Sequence, residues 1–355
     1  MRREDTKKLN VGGVPLGGDA PVTVQSMCNT KTWDTEATLA QIRRLHAAGC
    51  DIVRLAVPDE KSAAALPAIC AASPLPVVAD IHFDYRLALA AASAGVAKIR
   101  INPGNIGAPE RVEAVAAACK ARGIPIRIGI NAGSLEKRLL ERYGAPTAEA
   151  MVESAAGHVE MLERCGFYDI CLSLKASSVP LTVEAYALAA ERFPYPLHLG
   201  VTEAGTSYQG TVSSAAGIGA MLLSGIGNTL RVSLTAAPEE EVKAGIAILK
   251  ATGLRRGGVH IISCPTCGRT EIDLIGTAKQ VEERLSGCQR DISVAVMGCV
   301  VNGPGEAREA DYGLAGGRGA AVLFKKGEIV GKVAESEMVP ALLRLIETDD
   351  AGAAD

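Results

Sequence analysis

The chain repeats a short apolar strand followed by a helical segment eight times. The strand candidates are rich in Val, Ile and Leu, and segments such as 35–49 and 110–123 have helical spacing and end at Gly. The eight strand candidates are 22–27, 51–57, 76–81, 98–102, 125–130, 169–175, 196–201 and 229–234. Eight even units favour a closed parallel (β/α)8 barrel, the TIM-barrel fold, over a doubly wound open sheet.

The amino-acid composition is typical of a compact α/β protein that resides in a reducing compartment. Hydrophobic residues make up 48% of the 355 residues but aromatic residues only 3%, so the core is expected to consist of Ala, Val, Leu and Ile. A net charge of −3 gives no general electrostatic case for nucleic acid or an acidic membrane. No apolar run reaches the ~18 residues of a membrane span, and the charged start is not a signal peptide. Ten cysteines then indicate free thiols or metal ligands in the cytoplasm.

The pattern changes after about residue 255. We expect strands at 259–263 and 292–298, a helix at 273–286, a hairpin over 321–333 that turns at Lys326-Gly327, and a closing helix at 336–347. These elements predict a small α+β domain that follows the barrel. The predicted organisation is a barrel over 1–250, a small domain over 257–348 and a disordered tail over 349–355.

Polar side chains stand on or just after the strands of the predicted barrel, where the chemistry of such barrels takes place. Basic residues come from four different strands, and burying them together without an anion would be costly. Arginine forks suit phosphate oxygens. These residues at the mouth of the barrel therefore predict a binding site for a phosphorylated, multiply anionic small molecule. The nine candidate binding residues are Arg54, Asp80, His82, Arg100, Asn102, Arg127, Asn131, Lys175 and Ser233, and Glu203 and Arg231 also stand on or after these strands. His82 fits a structural role at a strand end equally well.

Three cysteines in the small domain form a candidate metal site. Cys264 and Cys267 have C-x2-C spacing, and Cys299 follows after 31 intervening residues in the segment MGCVVNGPGEA. Zinc would need a fourth ligand, for which Cys288 is available. An iron–sulfur cluster accepts a ligand other than thiolate at one iron, and the glycines around Cys299 let backbone amides approach its sulfurs. The spacing favours the cluster and leaves zinc open.

Two groups of motifs carry a family resemblance. SCPTCGRT and MGCVVNGPGEA, together with PVTVQSMCNT, ADIHFDYRLAL, KIRINPGNIG, LSLKAS and GIGNTLRVSLT, closely resemble the bacterial 4-hydroxy-3-methylbut-2-enyl diphosphate synthases of the methylerythritol phosphate route to isoprenoids. The resemblance covers nearly the whole chain. Cys28 is a small departure, since the family often has Thr there.

The resemblance implies one [4Fe–4S] cluster per chain, with Cys264, Cys267, Cys299 and Glu306 as ligands. It implies that the basic mouth binds 2-C-methyl-D-erythritol 2,4-cyclodiphosphate, which the enzyme reductively opens and dehydrates. Glu203 is then the candidate proton donor near the departing oxygen, and Glu306 takes part in catalysis as the cluster ligand. Flavodoxin or ferredoxin would supply electrons, and a homodimer is implied in which one chain's small domain covers the other chain's barrel.

Two other classes of protein stay open on the sequence. One is a zinc-stapled phosphosugar barrel enzyme, an aldolase or isomerase without redox chemistry. The other is a non-catalytic iron–sulfur sensor or nucleic-acid binder, against which the absence of a basic stripe argues.

Overall fold

The computed structural model describes residues 2–288, 290–299, 305 and 308–352. The chain divides into two compact units, Met1–Arg255 and Arg256–Asp355. We expected the barrel to end near residue 250 and the small domain to begin near 257. Within the described residues, no helix is long and apolar enough to cross a membrane.

The first unit is a parallel barrel preceded by a short hairpin. The hairpin pairs β1 (Leu9–Val11) with β2 (Val14–Leu16). The eight barrel strands are β3 (Thr23–Met27), β4 (Ile52–Ala56), β5 (Val77–Asp80), β6 (Lys98–Ile101), β7 (Ile126–Asn131), β8 (Ile170–Lys175), β9 (His198–Leu199) and β10 (Thr229–Leu230). They pair in the order β8-β7-β6-β5-β4-β3-β10-β9, and a parallel bridge between Leu172 and Leu197 links the two ends of that order. The predicted (β/α)8 barrel is confirmed.

Helices follow the strands and cover the outside of the barrel. They are α1 (Thr35–Ala47), α2 (Glu60–Ala72), α3 (Tyr85–Ser93), α4 (Pro103–Ile106), α5 (Pro109–Lys120), α6 (Lys137–Tyr143), α7 (Ala148–Arg164), α8 (Val179–Arg192), α9 (Ser207–Leu223) and α10 (Pro238–Ala251). Side-chain oxygens of Asp34, Asp59 and Thr147 accept hydrogen bonds from the first turns of α1, α2 and α7, so these helices start where the sequence supplies a cap. The large core between strands and helices is aliphatic, as the composition predicts.

The last two barrel strands are much shorter than predicted. Strands were expected over 196–201 and 229–234, but β9 and β10 each keep only two residues. After β10 the backbone leaves the ladder because the Leu234 N–H donates to the Glu241 carboxylate at 3.0 Å, and the Thr235 N–H donates to the Gly205 carbonyl. The short β10 thus reflects side-chain and loop partners that replace strand pairing.

The amino-terminal hairpin closes the end of the barrel opposite the mouth. Leu9, Val11 and Leu16 are buried against Ile52 and Val78, at the amino-terminal ends of the barrel strands. Sequence reasoning did not predict this hairpin. Its apolar side chains make that end of the barrel dry, and they leave the carboxyl end as the open one.

The second unit is a mixed sheet with helices on one face. Its strands β11 (Val259–Ser263), β12 (Ile292–Met297), β13 (Tyr312–Gly317), β14 (Ala320–Lys325) and β15 (Glu328–Ala334) lie in sequence order. The hairpin β14–β15 turns at Lys326 and Gly327 as predicted, both with positive φ, which a two-residue turn of this kind requires. Helices α11 (Leu274–Leu285) and α12 (Met338–Gly352) share one apolar core against the sheet.

Two details of this unit differ from the expectation. Strand β13 was not predicted, because YGLAGG carries three glycines that lower its strand propensity. Helix α12 runs to Gly352, so residues 349–352 of the tail expected to be disordered are helical. Residues 353–355 of that tail lie outside the described residues.

Candidate active site

A polar cavity opens at the carboxyl ends of the barrel strands. Its volume is about 180 Å³, and its lining is almost wholly polar. The lining residues are Arg54, Asp80, His82, Arg100, Arg127, Asn131, Ser173, Lys175, Thr202, Arg231 and Ser233. Strand register brings them together: Asp80 pairs with Arg100, Arg100 with Arg127, and Asn131 with Lys175 on adjacent strands. Eight of the nine predicted substrate-binding residues therefore line one cavity.

Asp80 lies between two arginines at one side of this cavity. Its Oδ1 accepts a hydrogen bond from Arg100 Nη1 at 3.2 Å, and its Oδ2 lies 3.7 Å from Arg54 Nε. Burial by itself would raise the pKa of Asp80, but the attraction of Arg54 and Arg100 outweighs burial and the pKa is lowered. Asp80 therefore stays ionised and holds both guanidinium groups toward the cavity.

Arg127 and Lys175 have no carboxylate partner of their own among the described residues. Arg127 is 1% exposed and contacts Ser173 Oγ at 3.4 Å, while its Nε and Nη2 have no hydrogen-bond partner in the described structure. Burial, and then the nearby Arg100, lower the pKa of Arg127 to about 10. Burial, and then Arg127 and Arg231, hold the pKa of Lys175 well below its usual value. An anion in the cavity would relieve this repulsion.

Arg231 adds a further cation, which the sequence placed on the eighth strand without a role. It forms a partly buried pair with Glu241 of α10 through three contacts between 3.1 and 3.3 Å. Ser173 and Thr202 also line the cavity and were not predicted as binding residues. The signal for Arg231 was available, since it precedes Ser233 by two residues and so shares its face of the strand.

Two glycines leave room for the long basic side chains. A Cβ at Gly129 would lie 2.6 Å from Arg100 Nε, and a Cβ at Gly200 would collide with Lys175 Nζ and lie 2.7 Å from the Arg231 carbonyl. Neither position can therefore hold an alanine unless the neighbouring atoms move. The absence of a side chain at these strand positions therefore lets Arg100 and Lys175 lie across the barrel.

Two predicted site residues lie apart from the cavity lining. Asn102 caps the short helix α4, where its Oδ1 accepts a hydrogen bond from the Gly104 N–H at 3.1 Å. Glu203 is exposed and has φ +54, a left-handed conformation that is uncommon for a residue other than Gly, Asn or Asp. It follows Thr202, which does line the cavity. Its role as proton donor stays a prediction.

The three predicted thiolate ligands stand at one edge of the sheet in the second unit. β11 pairs with β12 in parallel, Ser263 opposite Val296, so Cys264 and Cys299 follow the carboxyl ends of neighbouring strands. The Gly298 N–H lies 3.3 Å from Cys264 Sγ, and the Glu271 N–H donates to the Gly298 carbonyl at 2.9 Å. A hydrogen bond thus connects the C-x2-C motif directly to Gly298, the residue before Cys299.

Cys267 is the most exposed of the three and has an activated thiol. Its own N–H donates to Thr270 Oγ1 at 3.2 Å, which fixes the loop. A hydrogen bond from the Arg269 backbone, followed by that from the Arg269 side chain, lowers the pKa of Cys267. A lowered pKa favours the thiolate, the form that binds metal. Glu306, the predicted fourth ligand, lies outside the described residues, within which no three metal-binding side chains already surround a common point.

Cys288, the fourth ligand in the zinc alternative, lies at the other edge of the sheet. It follows α11 and precedes Ile292, the first residue of β12, whereas Cys299 follows Met297, the last. A strand of six residues spans roughly 17–20 Å. The four cysteines therefore do not converge at the carboxyl edge.

Fold and site together define a class of protein. It is a (β/α)8-barrel protein whose mouth is polar and lined by basic residues, followed by a separate domain that presents cysteines. The chain belongs to the GcpE family. The model of the GcpE TIM-barrel domain matches residues 6–246, and that of the GcpE C-terminal domain matches residues 260–348. The resemblance found in the sequence is confirmed.

Curated relatives extend over the whole chain. A protein of Geobacter sulfurreducens is 61% identical over 96% of this chain and 97% of its own length. One of Clostridium perfringens is 58% identical over 98% of this chain and 100% of its own. Both are named 4-hydroxy-3-methylbut-2-en-1-yl diphosphate synthase (flavodoxin).

Two solved structures are similar to this chain over the barrel. Yersinia pestis dihydropteroate synthase is similar with a TM-score of 0.50 at 15% identity, over 69% of this chain and 97% of that one. A truncated 3-deoxy-D-arabino-heptulosonate 7-phosphate synthase from Thermotoga maritima has a TM-score of 0.50 at 12% identity, over 70% and 92%. At these identities the likeness concerns the fold alone.

Proposed function

We propose that this protein is a 4-hydroxy-3-methylbut-2-en-1-yl diphosphate synthase of isoprenoid biosynthesis. It reductively opens 2-C-methyl-D-erythritol 2,4-cyclodiphosphate and removes water. The observation that carries this proposal is the convergence of Arg54, Arg100, Arg127 and Lys175 on one cavity, in a chain whose full-length relatives bear that name. Nothing in the structure or the relatives favours the aldolase or isomerase alternative.

The barrel residues bind and orient the diphosphate. Arg54, Arg100 and Arg127 present guanidinium groups to phosphate oxygens, and Lys175 adds an ammonium. Ser233 and Asn131 supply neutral polar groups at the rim, and Asp80 keeps two arginines in position. Asn102 shapes the loop after β6 rather than the cavity wall. This arrangement fixes the substrate by its phosphates and leaves its carbon chain free to react.

The cysteine residues of the second unit fit an iron–sulfur cluster. Cys264, Cys267 and Cys299 follow or join two adjacent strand ends, the Gly298 N–H is aimed at a sulfur, and Cys267 has a lowered pKa. We assign these three residues and Glu306 as ligands of one [4Fe–4S] cluster per chain. Such a cluster would supply electrons one at a time, and a carboxylate would be a harder, weaker ligand than thiolate for its fourth iron.

Protons and electrons have separate sources in this proposal. Glu203 delivers a proton near the departing oxygen, and a flavodoxin, the donor in the relatives' printed name, or a ferredoxin supplies electrons. The protein acts in the cytoplasm, in accord with ten cysteines that are all unpaired. It works as a homodimer, which sedimentation of the active protein tests.

The experiment is anaerobic purification followed by assay on the cyclic diphosphate with a reduced flavodoxin. Formation of 4-hydroxy-3-methylbut-2-enyl diphosphate supports the proposal. A protein that carries the cluster and binds the cyclic diphosphate, yet leaves it unchanged with reductant present, overturns the proposed reaction.

A further inference from the structure

The barrel interior carries more positive than negative charge. Six basic side chains stand in or just below the mouth, against two carboxylates: Arg54, Lys98, Arg100, Arg127, Lys175 and Arg231 against Asp80 and Glu241. Asp80 is engaged by Arg54 and Arg100, and Glu241 by Arg231. Two negative charges of a cyclic diphosphate would offset half of the excess of four.

Lys98 is the basic residue that lies below the cavity without lining it. It stands two residues before Arg100 on β6, so the two side chains share the inward face about 7 Å apart along the strand. Lys98 is 0% exposed, and its Nζ has no hydrogen-bond partner in the described structure. A buried ammonium without partners is disfavoured, so the pKa of such a group falls and the group loses its proton at a lower pH than an exposed lysine does.

The titratable groups that face Lys98 from the other barrel strands do not supply a free negative charge. On the adjacent strand β5, Asp80 is engaged by Arg54 and Arg100. Arg54 on β4 and Arg127 on β7 repel the ammonium form. Cys171 on β8 is buried, which raises the pKa of its thiol and keeps it neutral. His198 on β9 is also buried, which lowers its pKa and keeps the imidazole neutral. Burial, the largest cause, lowers the pKa of Lys98 to about 8.

We propose that Lys98 takes up a proton when the dianionic diphosphate binds in the cavity above it. The resulting ammonium acts as a positioning residue, because it offsets the negative charge of the ligand from beneath the site. This inference rests on the proposed function. The Nζ amine gains one proton from solvent and becomes an ammonium; no other bond changes. Each phosphorus of the cyclic diphosphate has a single ionised oxygen, so the ligand itself does not titrate near neutral pH. Proton uptake on binding then comes from the protein.

Lys175 is also a buried lysine with a lowered pKa, so its contribution to proton uptake has to be distinguished from that of Lys98. It lines the cavity directly, and burial also lowers its pKa. Proton uptake by the whole protein therefore has two sources. Replacing Lys98 removes one of them and leaves the direct contacts of the cavity wall in place.

The test is calorimetric titration of the cyclic diphosphate into the cluster-bearing protein without reductant, in buffers that differ in ionisation enthalpy. The wild type should take up more protons at about pH 9 than at about pH 7, because Lys98 is mostly neutral at the higher pH. Lys98→Met should lower the uptake at about pH 9 by up to about one proton per chain. It should also weaken binding about tenfold at about pH 7.

Lys137→Met is the matched control, because Lys137 on α6 has a side chain that is 90% exposed. It should leave both proton uptake and affinity unchanged. Lys98→Gln gives the same readout if the Met variant does not fold. Equal proton uptake by the wild type and the Lys98 variants at both pH values overturns the role of Lys98 alone. A wild type that does not bind the cyclic diphosphate overturns the proposed function as well.

Discussion

Arg231 and Glu241 form a partly buried ion pair in which Nη2 of Arg231 lies 3.1 Å from Oε1 and 3.2 Å from Oε2 of Glu241. The same carboxylate accepts the Leu234 N–H at 3.0 Å. A residue of α10 therefore fixes both a cation of the cavity and the backbone that carries Ser233. This contact links the outer layer of helices to the site.

Glu241→Gln should destabilise the barrel, because it leaves the partly buried Arg231 guanidinium without its counter-charge. We expect a loss of about 3 kcal/mol in the free energy of unfolding. Glu240→Gln is the control, since Glu240 is a neighbour on the same helix whose pair with Lys243 is exposed, and exposed pairs contribute at most about 1 kcal/mol. Denaturant unfolding measures both. Equal stability of the two variants would contradict the structural role of the Arg231–Glu241 pair.

Gly200→Ala should impair substrate binding, since the added Cβ collides with Lys175 Nζ and the Arg231 carbonyl. We expect KM for the cyclic diphosphate to rise about tenfold or more, because Lys175 has to leave its place in the cavity. Gly219→Ala on α9 is the control, as its Cβ would meet nothing within 4 Å. Steady-state kinetics compares them. An unchanged KM in Gly200→Ala would show that Lys175 does not need this position.

Lys98→Met should change stability in a pH-dependent way. The folded-state pKa of Lys98, about 8, lies below its unfolded value near 10.5, so the folded state binds fewer protons between these values. The wild type consequently gains stability as pH rises through that window, and below it Lys98 costs about 3 kcal/mol. Lys98→Met should therefore raise the free energy of unfolding at pH 7 and raise it less at pH 10. A difference that does not vary with pH would speak against a neutral amine in the fold.

Glu203→Gln should slow turnover far more than it weakens substrate binding. Glu203 does not line the cavity, so its amide analogue leaves the diphosphate contacts intact and removes only a proton donor. Comparison of kcat with the dissociation constant of the cyclic diphosphate makes the distinction. An unaffected kcat would discard the role.

Much of the fold could be predicted because each strand–helix unit has its own hydrophobic pattern within a short stretch of sequence. The eight strand–helix units are each set by an apolar run followed by a segment with helical spacing, which is why their number and order could be predicted. The extent of β10 could not, since the Leu234 N–H bonds to the distant Glu241 side chain rather than to a strand. The hairpin β1–β2 was missed because each strand has only three residues.

The site residues that could be predicted are those whose side chains point inward because side chains alternate between the two faces of a strand. Residues such as Arg100 and Lys175 project inward because they alternate with buried aliphatic residues, and the barrel brings them together. The role of Gly200 depends on a contact between strands that no local pattern contains. Asn102 follows the same alternation but turns aside to cap α4.

The central claim is an iron–sulfur cluster held by Cys264, Cys267 and Cys299 in a diphosphate-reducing enzyme. Its most direct test is iron, sulfide and zinc analysis of anaerobically purified protein, with Cys267→Ser beside the wild type and Cys288→Ser as control. The account predicts about four iron and four sulfide per wild-type chain, absorbance near ~400 nm, loss of both in Cys267→Ser and retention in Cys288→Ser. Colourless wild-type protein with stoichiometric zinc would contradict it.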